Sequence, residues 1–194
     1  MNKRLPKTIL LLCIFAVCLT DHIVVRGSSY AQDINFLSFG SGKTGVRLYT
    51  DYFCGPCSSL EPKIEQIVTE LVKKNRISLT YVDTPFYRYS ALYAQYFLYI
   101  MNEKKDLKHA AYSRSRLFEA AKAKIYEREK LEEFLHSKGI WFKPFDTKPV
   151  FRILEGYIKA DKVHQTPTCV IYKDEKQESY AGAGDIMKAL EGLQ

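Results

Sequence analysis

At 194 residues, with 46 % hydrophobic and 13 % aromatic residues, the chain has the composition of one packed domain plus a short terminal segment, which excludes a disordered or fibrous protein. The formal charge of +7 falls to +4, from 25 basic and 21 acidic residues, once residues 1–31 are set aside. What remains is interspersed, with ten Lys/Arg and seven Asp/Glu between Glu103 and Lys138, so it reads as a solvated surface and excludes nucleic acid as a partner.

Lys3, Arg4 and Lys7 form a positive start, followed by the apolar run Ile9 to Leu19, which has the length of a signal-peptide core rather than of a membrane span. Ser29-Tyr30-Ala31 is a small-x-small cleavage site ahead of Gln32. Residues 1–31 therefore read as a signal peptide. The stretch Asp21 to Ala31 is long and charged for a cleavage region, which keeps an uncleaved N-terminal membrane anchor as the alternative. Val17 before Cys18 argues against a lipid anchor. Either way the folded part, 32–194, is extracytoplasmic. Cys13 and Cys18 belong to the leader, leaving Cys54, Cys57 and Cys169: a working pair and a separate thiol rather than a disulfide framework.

From Gln32 the predicted order is β, β, α, β, a long helical stretch, then β, β, α. Ile34 to Phe39 reads as a first strand, Gly40-Ser41-Gly42 as a loop and Val46 to Tyr49 as a short buried strand. After Asp51-Tyr52-Phe53-Cys54-Gly55-Pro56-Cys57, the apolar positions Ile64, Ile67, Val68, Leu71 and Val72 mark a helix, which Pro62 should kink. Ile77 to Val82 alternates as a third strand. Tyr89 to Met101 reads as a buried helix, with further helices over Ser113 to Tyr126, on to Lys138 with a stop at Gly139, and after Asp146 or Thr147 with a stripe of Val150, Ile153, Leu154, Tyr157 and Ile158. Thr168 to Tyr172 is the next strand, Glu178 to Ala181 its edge partner, and Asp185 caps a last helix to Leu193.

A Cys-x-x-Cys where a buried strand hands over to a helix has a direct chemical logic. The first cysteine sits at the helix N-terminus, where unpaired N–H groups and the dipole favour a thiolate. The second lies one turn inside, close enough to resolve a mixed disulfide. The same spacing also makes half of a zinc site, and a Cys54, Cys57, Cys169, His164 set is conceivable, although Pro56 and the strand-to-helix placement fit redox work better. Haem attachment is excluded, because Ser58 stands where a histidine is required.

The strand, Cys54-Gly55-Pro56-Cys57, the proline-bearing helix and Thr166-Pro167, about 110 residues later and just before a strand, occur in the order of the thioredoxin superfamily, which the chain resembles over residues 33–193. The long helical stretch resembles the insertion of the DsbA-like branch. The resemblance implies an α/β, thioredoxin-like fold with a helical insertion, at about 85–163, between the third and fourth strands. It implies that Cys54 is the nucleophile and Cys57 the resolving thiol, with Gly55 and Pro56 as the dipeptide that tunes them. Pro167 would be a cis-proline that keeps metal away and leaves the Thr166 backbone free to pair with substrate. No cofactor is expected. The implied partners are cysteine-containing exported proteins and a membrane redox partner that reoxidises or reduces the pair.

One departure stands out. The family commonly places a buried acid six residues before the first cysteine, and here that position is Leu48, so the proton acceptor for Cys57 must come from elsewhere or from water. The insertion points to an oxidase, whereas Gly-Pro lacks the imidazole of strong oxidants and points to a more reducing protein. The alternative from another class is a metal carrier or chaperone on a redox-inert scaffold. Cys169 reads as a small core residue, His109, His136 and His164 as surface or loop residues, and the run Tyr87, Tyr89, Tyr93, Tyr96, Phe97 and Tyr99 as core, with some tyrosines available to line a groove.

Overall fold

The computed structural model of the chain describes residues 35–194; the leader, with its signal-or-anchor alternative, and Ile34 lie outside the described residues. Among the described residues no helix is long and apolar enough to cross a membrane.

The elements run β1 (Ser38–Phe39), β2 (Thr44–Thr50), α1 (Gly55–Lys73), β3 (Ile77–Asp83), α2 (Ser90–Glu103), α3 (Leu107–Lys122), α4 (Arg128–Ser137), α5 (Lys148–Ala160), β4 (Thr168–Lys173), β5 (Lys176–Ala181) and α6 (Ala183–Glu191). The sheet order is β1-β3-β2-β4-β5, with β2 and β3 parallel and the other neighbours antiparallel. The parallel pair brackets α1, as its crossover requires. Four helices are inserted between β3 and β4.

Cross-strand register assigns the two sheet faces. Val46, Leu48 and Thr50 pair with Leu79, Tyr81 and Asp83 on one side, and Val46 and Leu48 with Ile171 and Cys169 on the other. This row faces α1, which turns Cys57, Leu60, Glu61, Ile64, Val68 and Leu71 inward at helical spacing. The opposite face carries Arg47 and Tyr49. There the Arg47 guanidinium lies 3.8 Å from the Tyr157 ring centre and 4.7 Å from that of Tyr172, and pairs with Asp161 at 3.1 Å, clamping the end of α5 to the sheet.

Three elements differ from expectation. Residues Asn35–Leu37 form a 3-10 turn, and only Ser38 and Phe39 join the sheet, because β1 meets β3 over two residue pairs. Helix α3 begins at Leu107, where the Asp106 carboxylate accepts the His109 N–H at 2.8 Å, and it ends at Lys122 rather than Tyr126. Gly182, not Asp185, caps α6, and Asp185 sits in its first turn.

Helices α1, α3, α4 and α5 end alike. The residue after each cap turns left-handed (Asn75, Lys124, Gly139 and Lys162, φ 53–70°), and the next N–H reaches five residues back: Arg76 to Leu71, Ile125 to Ala120, Ile140 to Leu135 and Val163 to Ile158, at 2.9–3.1 Å. Lysine fills two of these turns without glycine's freedom, so the hydrogen bonds and the packing of the next residue, half-buried Ile125 or buried Val163, hold them.

Candidate active site

Cys54 caps α1. Its backbone is extended (φ −82°, ψ 113°), and its Sγ accepts the Cys57 N–H at 3.3 Å. Pro56, within the first two helical positions, gives up an N–H that has no intrahelical partner there. The Cys54 Sγ thus sits on the Cys57 N–H, which has no intrahelical partner, and at the positive end of a 19-residue helix. Cys57, fully buried on the inner face, differs: burial foremost, and then its contact with Cys54, push its thiol well above the usual range. Both thiols are free.

The Thr166–Pro167 peptide is cis, and the Thr166 carbonyl oxygen accepts the Cys54 thiol at 3.2 Å. That carbonyl, expected to be open for substrate, is therefore engaged while Cys54 is protonated, and loss of the thiol proton frees it. Leu48, six residues before Cys54, and Cys169 are cross-strand neighbours that are both buried; burial alone raises the Cys169 thiol to about 12, as befits a core residue. Among the described residues no three histidine, cysteine or acidic side chains gather as metal ligands, so His164, which is exposed, does not join the cysteines in such a group.

The segment leading into Cys54 is pinned by groups the sequence reading did not single out. The buried Asp51 carboxylate accepts Phe53 N–H (2.8 Å), Phe86 N–H (2.8 Å) and Ser90 Oγ–H (2.7 Å), tying the loop after β3 to the cysteine turn. The bond to Phe53, two residues on, is an Asx-turn, for which Asp before a helix start is the available signal.

Beside it lies a buried ionic cluster. Arg114, wholly buried on α3, donates from Nε and Nη2 to Glu61 (2.5 and 3.1 Å), from Nη1 to Asp83 (3.0 Å) and from Nη2 to Thr50 Oγ1 (2.6 Å). Tyr52 Oη donates to the other Asp83 oxygen at 3.1 Å, and the guanidinium lies 4.4 Å from the Tyr81 ring centre. The mixed charges of 103–138 are therefore not all surface. Arg114 falls in the apolar stripe Ala110, Leu117, Phe118 and Ala121, and that placement is the sign that it is buried.

One cation faces two carboxylates here, and burial raises Asp83 to about 6 despite Arg114. The folded state then holds the Asp83 proton more tightly than the unfolded chain, so the stabilisation is full below about pH 4 and is lost as pH rises through about 6. Asp83→Asn should remove that dependence. Denaturant titrations of both proteins between pH 4 and 7 should show the variant gaining on wild type by on the order of 2–3 kcal/mol across the window. A constant difference would contradict the assignment.

A cleft of about 330 Å³ opens at Cys54, lined by Tyr52, Phe53, Gly55, Ser58, Phe118 and Lys122 among others. Phe53 packs against Tyr93 (4.9 Å), Tyr126 (5.9 Å) and Tyr89 (6.1 Å), and the last two rings stack at 4.3 Å. Within the tyrosine run, Tyr93, Tyr96, Phe97 and Tyr99 are core, whereas Tyr89 is half-buried and Tyr87 is 53 % exposed. A larger hollow, about 800 Å³ between β5 and α6, contains no cysteine, so the cleft at Cys54 is the candidate site.

No protein-family model and no curated protein sequence matches the chain. Solved structures do. A periplasmic thioredoxin-like protein from Salmonella enterica serovar Typhimurium is 20 % identical, with a TM-score of 0.60 over 80 % of this chain and 86 % of that one. The catalytic domain of Proteus mirabilis ScsC is 20 % identical, with a TM-score of 0.60 over 84 % and 93 %. Wolbachia pipientis alpha-DsbA1 is 13 % identical, with a TM-score of 0.60 over 81 % and 89 %. The described chain has the thioredoxin-like fold with the DsbA-like helical insertion.

Proposed function

We propose that this chain is an exported thiol–disulfide oxidoreductase that exchanges disulfides with cysteine-containing exported proteins, with Cys54 as nucleophile and Cys57 as resolving thiol. The observation that carries the reading is the Cys54 Sγ, placed at the N-terminus of α1 between the Cys57 N–H and the carbonyl before a cis-proline. The periplasmic location of the Salmonella neighbour supports export, as do the leader's charge and hydropathy.

In the donor direction a substrate thiolate attacks Cys54 Sγ of the Cys54–Cys57 disulfide. The S–S bond breaks, and Cys57 leaves and takes up a proton, which its burial favours. The substrate's second thiolate then attacks its own sulfur in the mixed disulfide, and Cys54 departs as a thiolate stabilised by the helix terminus. The substrate is oxidised by two electrons, and a membrane redox partner reoxidises the dithiol. Thr166 and Pro167 form the substrate-facing wall, and Gly55-Pro56 sets the potential.

Disulfide donation is the preferred direction, supported by the helical insertion. Gly55-Pro56, without an imidazole, favours the second reading, an extracytoplasmic reductase or isomerase. The full-length protein equilibrated with glutathione buffers distinguishes them. A potential well above about −200 mV establishes an oxidase and one near about −270 mV a reductase. The absence of a transition, or zinc or copper carried by the purified protein, would favour the non-enzymatic alternative.

A further inference from the structure

The cleft at Cys54 is lopsided in charge. Lys122, in the last turn of α3, lines it next to Phe118 and Ala121, and no acidic residue does. Across the aromatic shelf formed by Phe53, Tyr89 and Tyr126, the Arg88 guanidinium lies 5.2 Å from the Tyr89 ring centre. Lys122 and Arg88 are both exposed, and neither is in an ion pair among the described residues. The acids beside the cysteine turn are buried and engaged: Asp51 has its oxygens taken by Phe53, Phe86 and Ser90, and Glu61 and Asp83 are held by Arg114. Ser58 and Ser59 add hydroxyls to the same wall, and the open end of α1 adds its positive dipole.

From this arrangement we infer that the cleft selects reaction partners carrying a carboxylate beside the reacting sulfur, with Lys122 as the specificity-determining residue. The inference rests on the redox reading above and names its substrate class. Two sources share this chemistry: a tripeptide thiol such as glutathione, and a polypeptide cysteine flanked by Asp or Glu. The reaction is ordinary exchange. The partner thiolate attacks Cys54 Sγ, Cys57 leaves and is protonated, and a second partner thiolate releases Cys54 and departs as the partner disulfide.

The test follows reduction of the oxidised full-length protein by 3-mercaptopropionate, 2-mercaptoethanol and cysteamine, which carry negative, zero and positive charge. Each rate is divided by that thiol's rate with an uncharged small disulfide. At low ionic strength wild type should favour the anion over the cation by about four- to tenfold, from about two- to threefold for each of the two exposed cations. The preference should shrink at about 0.5 M salt, where screening is short-ranged. Lys122→Ala should lose about half of it on a logarithmic scale, and Lys122→Glu should abolish or invert it. Glutathione and two cysteine peptides, flanked by Asp or by Lys, identify the source by which of them depends on Lys122. A wild-type ratio near one, or a ratio unmoved by Lys122→Glu while 2-mercaptoethanol still reduces the pair, overturns the inference and leaves the redox reading standing. A pair that no thiol reduces overturns the redox reading itself.

Discussion

Cys54→Ser is expected to reduce disulfide exchange by on the order of a thousandfold or more, because in the proposed exchange it removes the sulfur that both accepts the attack and leaves. Cys57→Ser should behave differently. Cys54 keeps its helix terminus, the N–H of residue 57 and the Thr166 carbonyl, so in the proposed exchange it should still enter mixed disulfides, but without Cys57 it has no internal thiol to resolve them and they should accumulate. Non-reducing electrophoresis of the Cys57→Ser protein expressed in its own compartment should show covalent adducts that vanish on reduction, and the Cys54→Ser lanes should lack them. Adducts of equal abundance in both variants would shift the reactive sulfur to Cys169. Its full burial, with a thiol raised to about 12, argues against that outcome.

Arg114→Met is expected to cost about 3–5 kcal/mol of stability. Methionine fills much of the volume but leaves Glu61 and Asp83 facing each other, buried and without a cation. For a domain of this size each kcal/mol lowers the melting temperature by about 2–4 °C, so a fall of about 6–20 °C is expected by circular dichroism. Adding Glu61→Gln and Asp83→Asn should restore a good part of the loss, since the cost lies in orphaned charge rather than lost volume. A loss below about 1 kcal/mol would show that water reaches the cluster, and no recovery in the triple variant would place the cost in lost packing rather than in orphaned charge. Because Arg114 also holds Thr50, and through Asp83 the Tyr52 hydroxyl, the single variant should loosen the turn that delivers Cys54.

These two results separate what is local from what is not. The Cys-x-x-Cys motif is local: a capping position, a proline early in the helix and a spacing of one turn are read directly from Cys54-Gly55-Pro56-Cys57, and Thr166-Pro167 before a strand is equally local. The strands β2, β3 and β4 were legible for a related reason, since short buried runs of Val, Leu, Ile and Tyr have few other uses. Helix ends were less legible. Lys124 and Lys162 turn left-handed with no glycine to announce it, because packing of Ile125 and Val163 decides those stops.

The sequence by itself determined the order of strands and helices and a cysteine pair at a helix start, because periodicity, capping and spacing act over a few residues; the thioredoxin-like arrangement of those elements was implied by the family resemblance. Tertiary structure alone decided which of many similar charges are buried. It brought Glu61, Asp83 and Arg114 together from three elements, placed Lys122 in the wall of the Cys54 cleft with no ion pair among the described residues, and set Leu48 against Cys169 across the β2–β4 register. Burial and pairing are sums over neighbours distant in the chain, and a lysine or arginine in a helix looks the same in sequence whether it faces water, a carboxylate or a thiol.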